Sequence, residues 1–155
     1  MGSCQLKTVT LMNKDEEKII WNKIVNPEDY EDSANALIEL KYTHRELAEK
    51  FALEILQNPD EEPYYQATAF NIFYSIDPSA ALNMIRTRLG EVNLIMLRSM
   101  IECVNEDIAI LEENDDLLIT VKTIGKRIDA LSRDELEKIR ETVEEFKTLF
   151  GRYLS

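Results

Sequence analysis

Histidine, cysteine, glycine and proline are scarce in this chain: one His, two Cys, four Gly and four Pro in 155 residues. Each shortage excludes something. His44 is the only side chain whose ordinary pKa lies near neutrality, and it follows Thr43 at a candidate helix start, where an imidazole is a bystander rather than a general base. Cys4 and Cys103 form neither a disulfide framework nor paired metal-ligand spacing. Cys103 has Glu102 beside it and Glu106 about one turn on, and acids raise a thiol pKa, so it reads as a small buried hydrophobe. No Gly-rich phosphate loop and no run of alternating acids around a central Gly is present. The expectation is a chain with no catalytic residues, no metal site and no cofactor.

Positive charge is also in short supply. Lys and Arg number 18 against 30 Asp and Glu, a formal net charge of −12. Such a surface repels nucleic acid and anionic membranes. Long apolar runs are missing too, since Arg98 and Glu102 interrupt the most apolar segment, Val92 to Val104, well short of a membrane-spanning stretch. The N-terminus Met1-Gly2-Ser3-Cys4-Gln5-Leu6-Lys7 has no signal-peptide layout, and Leu6 stands where a myristoylation motif carries Ser or Thr. The sequence therefore reads as cytoplasmic.

What is present is helical patterning. Apolar residues make up 45% and charged residues 31%, a globular composition, and apolar positions recur at three- and four-residue spacing. The expected architecture is all-α, a single helical domain over residues 1–155 with 1–13 as a flexible tail. A first helix is read over Lys14 to Asn26, with Ile19, Ile20, Ile24 and Val25 inward and Trp21 at the edge, ended by Pro27. A second starts near Glu31 and carries Ala34, Leu37, Ile38 and Leu40. Thr43 with Glu46 has the spacing of a capping box opening a third helix through Leu47, Phe51, Ile55 and Leu56. After a turn at Asn58 to Pro63, Tyr65, Ala69, Ile72, Phe73 and Ile76 form one stripe. Asp77-Pro78 then caps a helix through Ala81, Leu82, Ile85 and Leu89 that closes at Gly90. Val92 to Val104 forms the next helix, followed by a turn at Asn105-Glu106-Asp107 and a short continuation over Ile108 to Leu111. Glu112-Glu113-Asn114-Asp115-Asp116 reads as the acidic first turn of a helix running to Leu131, with a loop as the alternative. Ser132 with Glu135 is a second capping box, opening one last helix through Leu136, Ile139, Val143, Phe146, Leu149 and Phe150.

The chain also resembles itself. A shift of 33 residues lays Ala36, Leu37, Leu40, Ala48, Phe51 and Leu56 over Ala69, Phe70, Phe73, Ala81, Met84 and Leu89, each a helix, short turn and helix. A fainter third unit aligns Ile76-Asp77-Pro78-Ser79 with Val104-Asn105-Glu106-Asp107 at a shift of 28. Helical hairpins in tandem bury their faces by stacking. In Glu62 to Ile85, the small residues Ala67 and Ala69, the Asp77-Pro78 turn and the Ala81-Leu82 opening resemble a HEAT-like repeat. That resemblance implies stacked antiparallel hairpins, a short α-solenoid; the alternative is an irregular helical bundle.

Acids cluster as Glu28-Asp29 with Glu31-Asp32, as Asp60-Glu61-Glu62, and as Glu112-Glu113 with Asp115-Asp116. All lie at expected helix starts, where they complement the helix dipole. Tyr64 and Tyr65 follow the second cluster, and tyrosines among acids suit Lys and Arg side chains; the structural alternative is that one of the pair packs inward and the other lies on the surface. The candidate partner-binding residues are Asp60, Glu61, Glu62, Tyr64, Tyr65, Glu112, Glu113, Asp115 and Asp116, and the expected partner is a basic protein steered in by charge. In size, charge and architecture the chain resembles bacterial immunity proteins. That resemblance implies a non-catalytic inhibitor that blocks a toxin nuclease domain. A HEAT-like scaffold or adaptor holding a peptide or a subunit is the second expectation.

Overall fold

The computed structural model describes residues 12–107 and 114–154. Among them the secondary structure is all helical: α1 (Lys14–Val25), α2 (Tyr30–Thr43), α3 (Arg45–Gln57), α4 (Pro63–Ile76), α5 (Pro78–Arg88), α6 (Leu94–Asn105), α7 (Asp115–Asp129), α8 (Arg133–Lys138) and α9 (Arg140–Phe150), with short 3₁₀ turns at Leu89–Glu91 and Gly151–Tyr153. No helix is long and apolar enough to cross a membrane among the described residues. Of the expected tail, Met12 packs against the core and Asn13 caps α1 in a reciprocal box with Glu16; residues 1–11 lie outside the described residues.

Helix α4 occupies the middle, packed against α2, α3, α5 and α6; α7 covers α5, and α9 covers α6. Phe51, Phe70, Leu97, Ile101, Leu117 and Phe146 are fully buried where these helices meet. The apolar stripes thus face one another across a shared core, which is why short helices that would be marginal alone are held here. The final helix packs inward, with Phe146 and Phe150 both fully buried.

Side chains from distant helices satisfy the carbonyls that each helix end leaves without an intrahelical partner. At the end of α1, Ser33 Oγ donates to the Lys23 carbonyl at 2.7 Å and Tyr65 Oη to the Ile24 carbonyl at 2.7 Å. Arg45 Nη2 donates to the carbonyls of Ser75 and Ile76 at the end of α4 at 3.3 and 3.2 Å. Arg127 Nε reaches the Leu89 carbonyl after α5 at 3.3 Å.

The 33-residue shift reappears in the backbone. His44, between α2 and α3, has φ −143° and ψ 76°, and Asp77, between α4 and α5, has φ −137° and ψ 78°. Each single residue ends one helix and begins the next, so both hairpins turn through the same conformation. Further ties follow nearly the same spacing: Trp21 to Glu54, Asn71 to Cys103 and Tyr74 to Asp107.

Several sequence expectations change. Thr43 does not open α3: it is the last residue of α2, its Oγ1 donates back to the Glu39 carbonyl, and His44 stands at the α3 N-cap with no side-chain hydrogen bond to the first turn of α3. The one-residue connection leaves no extended Thr43 backbone from which a capping box could form. The last helix is not continuous, because Ile139 at φ −123° and ψ 27° separates α8 from α9. The break lets Ile139 turn into the protein, where it is buried and lines a groove with Leu94 and Ile95. Ile19, expected inward, is 70% exposed, and Ile38 of α2 is exposed as well; α1 packs chiefly against α2 and α3, with Tyr65 of α4 reaching its end, and leaves the Ile19 flank uncovered. The Val92 start shifts to Leu94 because Asn93 supplies the cap to Met96 N. The expected continuation over Ile108 to Leu111 lies outside the described residues.

Candidate functional site

The turn between α3 and α4 is built by its own acids. Glu62 is the N-cap of α4, accepting from Tyr65 N at 2.9 Å ahead of Pro63 at the first helical position. Glu61 Oε1 accepts from Glu62 N at 2.8 Å and from Tyr30 Oη at 2.8 Å. Asp60 is held through its backbone, its N–H donating to Asn58 Oδ1 at 3.0 Å, and its carboxylate is exposed.

Tyr64 and Tyr65 divide as adjacent helical residues do. Tyr65 is only 3% exposed and lies edge-on to the Tyr30 ring, at 5.1 Å between centroids. Tyr64 is 65% exposed and stands at a groove of about 210 Å³ lined with Ala67, Leu94, Ile95 and Ile139 and bordered by Arg98 and Lys138. Of the first candidate set, Asp60 and Tyr64 are therefore free to touch a partner, whereas Tyr65 and Glu62 shape the turn.

The sequence did not connect this turn with the acids around the start of α2. The Tyr30–Glu61 bond does, bringing the acidic start of α2, with its N-cap Asp29, against the turn that carries Asp60. Tyr30 was the missed residue. Its only sequence signal is an aromatic inside an acidic run, Glu28 to Asp32. Glu61 raises the Tyr30 pKa first through that bond, with burial and the charges of Glu61 and Glu62 adding to it.

The second candidate set divides differently. Asp115 and Asp116 lie exposed in the first turn of α7, which is capped by Asn114 accepting from Leu117 N at 3.0 Å. Arg86 binds this turn by donating to the Asp116 carbonyl at 3.2 Å and to Thr120 Oγ1 at 3.1 Å, with its guanidinium 3.9 Å from the Asp116 carboxylate. Asp116 is thus partly neutralised, while Asp115 has no ion pair among the described residues. Glu112 and Glu113 lie outside the described residues.

A polar cavity of about 550 Å³ opens between α4, α6 and α9, lined by Asn71, Tyr74, Glu102, Cys103, Asn105 and Glu106, with Glu145 at its edge. Asn71 Oδ1 accepts from Ser99 Oγ at 3.2 Å and from Cys103 Sγ at 3.1 Å, and the Tyr74 hydroxyl donates to Asp107. Burial first, then the charges of Glu106, Glu102 and Asp107, pushes the Cys103 thiol up to about 12, so it is no nucleophile at neutral pH. Among the described residues no group of three or more His, Cys, Asp and Glu side chains is placed to hold a metal ion.

Tyr65 and Tyr74 are likewise held well above the usual tyrosine value. Burial is the main cause in both, followed by the charge of Glu61 for Tyr65 and the hydrogen bond to Asp107 for Tyr74. All three groups bind their protons more tightly when folded. Their contribution to stability is complete below the ordinary values of 9.0 for the thiol and 10.0 for the phenols, and is lost as pH rises above them toward the folded values. An alkaline titration is expected to show these two of the six tyrosines ionising only as helical circular dichroism is lost. Full phenolate absorbance with helicity intact would show that Tyr65 and Tyr74 are not buried.

No protein-family model, curated protein or solved structure matches this chain.

Proposed function

We propose that this chain is a non-catalytic binding protein that neutralises a basic protein, and that the partner is a toxin nuclease domain blocked in the manner of bacterial immunity proteins. The observation that carries this reading is that the Tyr30–Glu61 bond ties the acidic start of α2 to the turn before α4, with Asp60 exposed on that turn and Tyr64 exposed just after it. With a net charge of −12, this acidic region attracts a cationic surface over distance and orients it on approach. In the bound state Asp60, with Asp115 and Asp116, occupies places where substrate phosphates lie on a nuclease. Tyr64 fills an adjoining hollow, and its ring accepts a Lys or Arg. Inhibition is then steric and electrostatic, with no chemistry on the chain.

The test is capture of the partner from the native lysate at low and then high salt, followed by a nuclease assay of the captured protein with and without this chain. The variant Asp60→Lys/Glu28→Lys, at two exposed acids, is expected to slow association about tenfold or more at low salt and to flatten its salt dependence. Unchanged kinetics would remove this face from the interface.

The repeated hairpin conformation at His44 and Asp77 favours one other reading, a HEAT-like stack that serves as scaffold or adaptor for a peptide or a subunit. Small-angle scattering separates an elongated stack from a compact bundle. Under the scaffold reading, partner binding is nearly indifferent to salt.

A further inference from the structure

In a chain of net charge −12, the groove beside Tyr64 is apolar with cations on its rim. Ala67 of α4, Leu94 and Ile95 of α6 and Ile139 form its wall, with the exposed Tyr64 next to them. The groove exists because the chain breaks between α8 and α9. Ile139 leaves the helical conformation there and is 5% exposed, and Lys138 before it comes to the border. A volume of about 210 Å³ is below the roughly 300–1,000 Å³ of a site for a cofactor or a drug-sized molecule, and it suits one bulky side chain.

Arg98 is held through Nε, which donates to Glu102 Oε2 at 3.2 Å, and its Nη groups have no acceptor among the described residues. Glu102 also accepts from Thr142 Oγ1 at 3.3 Å, so the carboxylate that lines the groove is already engaged. Lys138 is exposed and has no ion pair among the described residues. On its own helix, Glu137 is taken by Arg140 at 3.1 Å and Glu135 accepts from the Ser132 N–H at 3.0 Å. Glu141 lines the adjoining polar opening. Apolar surface flanked by cations complements an apolar group that stands beside a negative charge. Tyr64 and Arg98 are also of the residue types that anchor protein interfaces.

We propose that this groove anchors the basic partner by receiving one of its bulky apolar side chains, of leucine or phenylalanine size, at a place where a carboxylate of the partner stands next to that side chain. The side chain lies on Leu94, Ile95 and Ile139 beside Tyr64, and the carboxylate pairs with Lys138 and with the Nη groups of Arg98. The inference rests on the binding function proposed above and names how the partner is oriented. Asp60, four residues before Tyr64, attracts cations, whereas the groove accepts an acid. A partner turned the wrong way would set like charges together at both places.

The test titrates the isotope-labelled full chain with Nα-acetyl-phenylalanine, with Nα-acetyl-phenylalanine amide, which lacks the charge, and with N-acetylglycine, which lacks the side chain. Saturable shifts are expected at the backbone amides of Ala67, Ile95 and Ile139 with acetyl-phenylalanine, with about fivefold weaker binding of the amide and none of acetylglycine. Arg98→Gln/Lys138→Gln, at two exposed positions, is expected to bring the acid down to the affinity of the amide. Ala67→Leu, which fills the groove, is expected to abolish both, while Asp60→Lys leaves the shifts unchanged. Equal affinity of acid and amide in the parent chain, or shifts that never saturate, overturn the proposal. A captured basic partner is expected to bind the double glutamine variant about fivefold or more weakly. A partner that binds this variant and Ala67→Leu as tightly as the parent chain overturns the anchor and leaves the acidic turn as its site. The expected probe binding in a chain that captures no basic protein overturns the proposed partner and retains the groove as a site for an apolar carboxylate.

Discussion

Replacing Phe146 with Ala is expected to lower the free energy of unfolding by about 3–5 kcal/mol. Phe146 is fully buried, and its ring lies 5.2 Å from that of Phe150. Helix α9 has only 11 residues, too few to persist in water without its apolar face against α6. Truncation removes the ring's burial and leaves a cavity that the helices of α6 and α9 can close only in part. Leu149 on the same helix is half-buried, and its replacement with Ala is expected to cost roughly 1–2 kcal/mol from the area term alone. Denaturant unfolding followed by circular dichroism measures both. A Phe146→Ala cost below that of Leu149→Ala would mean that α9 is not packed inward as described.

Tyr65→Ala is expected to cost a similar amount, about 3–5 kcal/mol, by the same loss of buried aromatic volume. Its comparison with Tyr65→Phe is more informative. The phenylalanine variant keeps the ring, its packing in the core and its edge contact with Tyr30, and deletes only the hydroxyl that satisfies the Ile24 carbonyl. That carbonyl lies in the last turn of α1 and has no intrahelical partner. Leaving it buried and unsatisfied is expected to cost about 1–3 kcal/mol. A Tyr65→Phe variant as stable as the parent would show that water reaches the end of α1. If the acidic face depends on this support, both variants also slow capture of a basic partner, Tyr65→Ala more than Tyr65→Phe, because Tyr65 follows the acids of the turn and packs against Tyr30, whose hydroxyl holds Glu61.

Caps were legible in the sequence where the signal was local. Asp77-Pro78 and the Ser132–Glu135 box lie where their residue types imply, because each bond is made within three residues and depends on little else; at α7 the cap is Asn114, inside the acidic stretch read as the helix's first turn. The same reasoning failed at Thr43, whose capping spacing is equally good. There the outcome depended on whether α2 ended before or after Thr43, and the packing of α2 against α3 and α4 favours the longer helix. Ile139 failed for a related reason: helical spacing allows the residue inside one continuous helix, while the groove beside Leu94 and Ile95 draws it inward at a break.

The candidate site was legible only in part. The acids and tyrosines of the turn could be picked out by their types. Neither the burial of Tyr65 nor the exposure of Tyr64 could be, because adjacent residues on a helix point about 100° apart and the sequence does not say which faces α1. The link from Tyr30 to Glu61 spans 31 residues, and the cavity lined by Asn71, Asn105 and Glu145 draws on three helices; no local pattern encodes either.

Sequence by itself determined the helical class, most helix limits, the heavy negative charge and the self-similarity at 33 residues, since these follow from periodicity, caps and composition. Tertiary structure alone decided which acids share a face, which polar groups are left without a partner, and which tyrosine meets solvent. Those properties depend on residues brought together from distant parts of the chain, and burial and charge act through distance in space rather than separation in sequence.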